Sequence, residues 1–186
     1  GVNVSGESDQ GLFATIGGHN ATINIENIII EDPSVTMTST NLGGGALMGK
    51  TGMGSGIINI ENVTVNGGVI NGYKYVGGLI GYDAAGSTVY IKNCSVNETV
   101  VAATNTIEGG SSSVGGFIGY SQCPVIFEGN TSTAVLSAQT DTRYCGSYIG
   151  TANHDGINIK DAVDGDVAVG RTAGHTITVN GVPFEK

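Results

Sequence analysis

Val76-Gly77-Gly78-Leu79-Ile80-Gly81-Tyr82 returns almost unchanged as Val114-Gly115-Gly116-Phe117-Ile118-Gly119-Tyr120. Weaker copies are Gly44 to Lys50, Cys145 to Thr151 and, weakest, Asp9 to Thr15. Their starts at 9, 44, 76, 114 and 145 give spacings of 35, 32, 38 and 31 residues. A fixed period of this length marks a repeat array, in which each unit buries its apolar edge only by stacking on the next. Paired glycines within a strand pattern mark a sharp bend or a close approach of backbones. The recurring corner therefore suits coils that pack with no side chain between them.

A second element follows each corner: Ile23-Asn24-Ile25-Glu26-Asn27-Ile28-Ile29-Ile30, Ile58 to Val65 and Val89 to Val96, with degraded copies at Val125 to Ser132 and Ile157 to Asp164. Apolar and polar residues alternate up to the Asn, which is the period of a half-buried strand. Asn or Asp then turns the chain, and alternation resumes in the opposite phase. Stacked, the residues before the turn form the column Glu26, Glu61, Lys92, Glu128, Lys160, alternating in sign from Glu61 onward. The turn column reads Asn27, Asn62, Asn93, Gly129, Asp161, and the inward column beyond it Ile28, Val63, Cys94, Asn130, Ala162. Asn130 and Asp164 break the apolar pattern, so coils four and five are expected to be looser or differently phased. Third strands are expected over Val35 to Thr40, Val69 to Tyr75, Val100 to Ile107, Ala134 to Thr140 and Val167 to Arg171. The fold expected is all-β: one domain spanning 1–186, a right-handed parallel β-helix (β-solenoid) of about five coils, with 172–186 as its C-terminal cap.

Composition agrees with a strand-built, non-enzymatic chain. Glycine supplies 32 of 186 residues and charged residues only 12%, about half the usual share. A net charge of −9, with seven Lys and Arg scattered along the chain, excludes a phosphate-neutralising stripe, so nucleic acid is not an expected partner. No apolar run reaches the ~18 residues of a membrane span. The abrupt strand-like start at Gly1-Val2-Asn3-Val4 suggests a segment of a longer precursor. Cys94, Cys123 and Cys145 lack the C-x-x-C spacing of a zinc or redox motif, and buried free thiols are expected, with a single bridge as the alternative. Sequons at Asn3, Asn20, Asn62, Asn93, Asn97 and Asn130 arise by chance in an Asn- and Thr-rich solenoid.

The corners Val76 to Tyr82 and Val114 to Tyr120, followed by the segment Ile91-Lys92-Asn93-Cys94-Ser95-Val96, resemble the GLUG motif of bacterial secreted proteins. The resemblance runs from about Ser5 to Gly170. It implies a β-helical region of a secreted or cell-surface bacterial protein, adhesin-like or accessory to an immunoglobulin A peptidase whose zinc protease lies elsewhere. The chain has no H-E-x-x-H, so protease chemistry does not carry over. Ala14 and Ser147 stand where the motif has glycine.

Individual motifs yield little chemistry. Gly44 to Thr51 satisfies the P-loop pattern, but Gly52, Met53, Gly54, Ser55 and Gly56 cannot start the helix that a phosphate site needs. Asp83, Glu108, Asp141 with Arg143, and Asp155 with His154 are the acid–base candidates. None recurs as a matched carboxylate pair, and all are expected to be solvated loop residues. Asp161, Asp164 and Asp166 have calcium-compatible oxygens but no complete calcium-loop spacing, and a polar turn is expected there. His19, His154 and His175 are expected in loops. Tyr82 and Tyr120 occupy one motif position in adjacent coils, where they either pair structurally or, with Tyr73, Tyr75 or Tyr144 nearby, form a platform for sugar rings. No catalytic residue, cofactor or metal is therefore expected. The leading reading is adhesion-like binding or display on a host or microbial surface glycan or protein. A carbohydrate-active enzyme, an accessory region of a secreted peptidase and a purely structural stalk stand as alternatives.

Overall fold

Each coil turns where the sequence places its asparagine. Asn27, Asn62, Asn93 and Asp161 all have positive φ, between 51° and 62°, and Gly129 fills the same place in coil four at 67°. This left-handed conformation costs Asn and Asp less than other side-chain-bearing residues. In the computed structural model, which describes residues 2–40, 43–104, 111–139 and 142–186, these turns stack into a β-solenoid of about five coils.

Four stacks of strands form its walls. The first is Asn3–Gly6, Ser34–Met37, Val69–Gly72, Val100–Ala103 and Val135–Ala138. The second, entering the corners, is Gly43–Gly45, Tyr75–Gly77, Ser111–Gly115 and Thr142–Gly146. The third, leaving them, runs from Phe13–Ile16 through Met48–Thr51, Ile80–Asp83, Ile118–Ser121 and Ile149–Ala152 to Val169–Arg171. The fourth carries the asparagine turns and begins with the paired strands Thr22–Glu31 and Gly56–Asn66. Pairing between coils is parallel throughout these stacks. At the C-terminal end Val182–Phe184 folds back antiparallel onto Ile177–Val179 through Asn180 and Gly181, both at positive φ. Among the described residues the only helical segment is the single turn Gly165–Ala168, and no helix is long and apolar enough to cross a membrane.

The predicted ladder is present residue by residue. Glu26 faces Glu61, which faces Lys92, which faces Glu128. Lys160 closes the column with a 3.2 Å ion pair to Glu128. Asn62 donates to Asn27 at 3.3 Å, and a parallel amide row joins Asn59 to Asn24 at 2.8 Å. Inside, Val63, Val65, Val89, Ile91, Val125 and Phe127 are fully buried, so each coil adds one rung to a continuous core. Cys94 and Cys123 are buried free thiols, and Cys145 is half-buried and free.

Asn130 corrects the expectation of a loose fourth coil. It is buried, accepts the Cys94 amide at 2.8 Å and donates to the Ile91 carbonyl at 2.8 Å. Its own carbonyl takes the Tyr148 hydroxyl at 2.7 Å, and Phe117, Phe127 and Tyr148 pack as an aromatic trio 5.2 to 5.8 Å apart. Asn130→Ala removes both side-chain bonds and leaves the buried Cys94 amide without this acceptor. It should lower the unfolding free energy by about 2 kcal/mol in urea titrations, and a loss below ~0.5 kcal/mol would contradict this role.

Three further expectations change. The first corner begins at Gln10, one residue later than Asp9: Gln10 bridges Gly44 while Phe13 faces Met48, so this copy is one residue shorter. Val167 to Arg171 is not a third strand. Val169 faces Ile149 and Arg171 faces Thr151, which makes this stretch a sixth corner exit with Gly170 in the repeat's last glycine position. The third strands end early, at Met37, Gly72, Ala103 and Ala138. Much of the variable stretch between them and the next corner, including the expected strand ends at Thr140 and beyond Thr104, lies outside the described residues.

Candidate functional site: a tyrosine cluster on the glycine corners

The corner brings two stacks of strands to backbone contact. A Cβ on Gly119 would lie 2.5 Å from the Val76 amide nitrogen and 2.9 Å from the Tyr75 carbonyl carbon. The strand leaving one corner therefore presses on the strand entering the corner of the preceding coil. Ile80 and Ile118, before the last glycine, are buried in the core, while Tyr82 and Tyr120, after it, are only half-buried.

Tyr82 and Tyr120 face each other in register, as expected from their shared motif position. Their ring centroids are 5.7 Å apart in an edge-on arrangement. Tyr75 reaches them from the entering strand, 5.3 Å from Tyr82 and 4.8 Å from Tyr120. All three rings are half-buried. The Tyr82 hydroxyl donates to Gln122 Oε1, and burial, followed by the neighbouring phenols, raises its pKa. Tyr144, in the same stack as Tyr75, carries the Arg171 guanidinium 4.9 Å above its ring. Tyr73 stays outside the triangle.

Lys50 continues the Tyr82 column into the preceding coil, and its ammonium lies 5.4 Å from the Tyr82 centroid. It belongs to the P-loop-like stretch, which forms the strands Gly43–Gly45 and Met48–Thr51 around a corner. With strand on both sides, that stretch is the second corner of the series and has no phosphate-binding helix.

Asp83 corrects the sequence reading most sharply. It is fully buried and points into the solenoid, whereas a solvated loop position was expected. Thr51 donates to one carboxyl oxygen at 2.9 Å and Ser121 to the other at 2.7 Å. Desolvation dominates and raises its pKa to about 6, against hydrogen bonds from Cys123, Ser121 and Thr51 that lower it. With no route to solvent, it is a structural carboxyl unsuited to acid–base work on an external substrate.

The remaining candidates do not assemble. Asp155 pairs with His175 Nδ1 at 3.1 Å rather than with His154, whose Nδ1 accepts the Gly156 amide. Its exposed carboxylate also takes the Thr176 amide, and these bonds hold its pKa below the ordinary value. Asp161 occupies its turn at positive φ, and Asp164 is exposed. Among the described residues no group of three or more His, Cys, Asp and Glu side chains is gathered as a metal site would need. Glu108, Asp141 and the Asp166 side chain lie outside the described part.

The sequence pointed to Tyr82 and Tyr120 and named Tyr75 as a neighbour, but it missed Lys50 and Lys74 beside the rings. For Lys50 the available signal was register, since it holds the Tyr82 position one coil earlier, whereas Lys74 is marked only by standing immediately before Tyr75. None of the known protein families, curated proteins or solved structures with which the chain was compared matches it.

Proposed function

We propose that this chain is a non-catalytic domain of a secreted or cell-surface bacterial protein, of the GLUG-repeat kind, which binds a surface glycan through the tyrosines of its corner face. The observation that carries the reading is the Tyr75, Tyr82 and Tyr120 triangle, in which three half-buried rings meet on one outer face. Tyrosine combines an apolar ring with a polar edge, which suits a partner that is part apolar and part hydroxylated. The solenoid supplies a rigid base, because each ring stands on a strand paired with its neighbours in the stack. Low charge and outward-facing amide ladders fit a surface-display role, and the resemblance of the corners to GLUG repeats supports the bacterial and extracellular assignment.

The test is a glycan array with the intact chain beside Tyr82→Ala/Tyr120→Ala. The native chain is expected to bind a defined glycan set and the variant to lose that signal, with the same far-ultraviolet circular dichroism. Silence from both chains would reduce the triangle to packing and leave the structural-stalk reading in its place.

A further inference from the structure

The tyrosine triangle is flanked by positive charge on an otherwise acidic chain. Lys50 lies over Tyr82, and the Lys74 ammonium is 5.1 Å from the Tyr75 centroid. With Arg171 on Tyr144, three of the seven Lys and Arg residues rest on tyrosines of the two corner stacks, although the net charge is −9. Among the described residues neither Lys50 nor Lys74 has a carboxylate within ion-pair distance, unlike Lys160 with Glu128. Asp9, one coil before Lys50, turns its carboxylate onto the Gly43 amide at 2.8 Å. The corner face thus carries two ammonium groups that no acid among the described residues neutralises.

A lysine over an aromatic ring holds its position by attraction to the ring face, and the ammonium keeps its remaining donors. A carboxylate offered beside the ring is a stronger partner, because both members of that hydrogen bond are charged. We propose that the corner face selects acidic saccharides: a pyranose ring lies against Tyr82 and Tyr120, and its carboxylate meets Lys50 and Lys74. The proposal rests on the glycan-binding reading above and narrows it to carboxylated sugars, whether uronic or sialic acids. A polyanion that needs many phosphate contacts fits poorly, because two lysines in an acidic chain cannot neutralise it.

Titration calorimetry separates the possibilities. Tetragalacturonate is compared with its full methyl ester, which keeps the rings and removes the charge, and 3′-sialyllactose is compared with lactose. At least one acid is expected to bind about tenfold more tightly than its neutral partner, as a charge-assisted contact implies. That preference should vanish in Lys50→Gln/Lys74→Gln and shrink at about 0.5 M salt, where the screening length falls to ~4 Å. Whichever pair shows it identifies the source of the acid. Equal binding of acid and neutral forms, or a preference that survives the lysine variant, overturns the acidic selectivity and leaves the glycan reading standing. No binding by the native chain to any of these sugars or to the wider array overturns both.

Discussion

Gly81→Ala should abolish the folded state or lower its stability by more than ~3 kcal/mol, although it adds only one methyl group. A Cβ at this position would sit 2.1 Å from the Gly44 amide nitrogen and 2.4 Å from the Gly43 carbonyl carbon. Those atoms are backbone in a paired strand, so relief requires prising one coil from the next. Extra volume in a packed core commonly costs about 1–3 kcal/mol when side chains can adjust, and here none can. Gly54→Ala is the control. Its Cβ would first meet the Gly18 carbonyl at 3.4 Å, an ordinary contact, and its φ is not in the left-handed region. It should change stability by less than ~0.5 kcal/mol in the same thermal and urea unfolding experiments. A Gly81→Ala chain that unfolds within ~1 kcal/mol of the native chain would contradict the backbone contact at the corner.

Asp83→Asn should stabilise the chain at neutral pH and gain much less in acid. The native carboxyl has its pKa raised from 3.8 to about 6, chiefly because burial disfavours the charged form. The folded state therefore holds this proton more tightly than the unfolded state does. Its contribution is fully present below about pH 4, declines as pH rises through about 6, and is lost above it. The difference between 3.8 and about 6 corresponds to ~3 kcal/mol. The hydroxyls that donate to the carboxylate have carbonyls close by, Ala84 O at 3.5 Å from Thr51 Oγ1 and Cys123 O at 3.3 Å from Ser121 Oγ. They can turn towards these when Asp83 is protonated and becomes a donor itself. Measured from pH 3.5 to 7.5, the stability advantage of Asp83→Asn over the native chain should grow by about 3 kcal/mol. A constant or shrinking advantage would mean that Asp83 is stabilised as an anion.

The sequence made the repeat and its columns legible because both depend on period alone. Glu61, Lys92 and Glu128 had to align once the asparagine turns did, and the corner glycines announced close backbone contact. Asp83 was misread because it immediately follows the outward Tyr82 at the corner exit, where a lone acid resembles a loop residue. Its column, Ile16, Thr51, Asp83, Ser121 and Ala152, held the clue, since every other member is small, hydroxylated or apolar. Tyr75 and Lys74 join the site through packing between two stacks, which within-stack register does not report. Val169 to Arg171 was misassigned because this last corner has lost its paired glycines, leaving Gly170 as its only mark.

The tyrosine site depends on the coils being stacked in this register, since only that places Tyr82 beside Tyr120. Spin-label distances along the exposed charge column test it most directly. Labels are placed at Glu26 with Lys92, Glu128 or Lys160 in turn, in a chain whose native cysteines are replaced. One rung adds about 4.8 Å, so backbone separations of ~10, ~14 and ~19 Å are expected, rising evenly with the number of coils crossed. Distances that are broad, or that fail to increase by one rung per coil, would contradict the stack and with it the site on its corners.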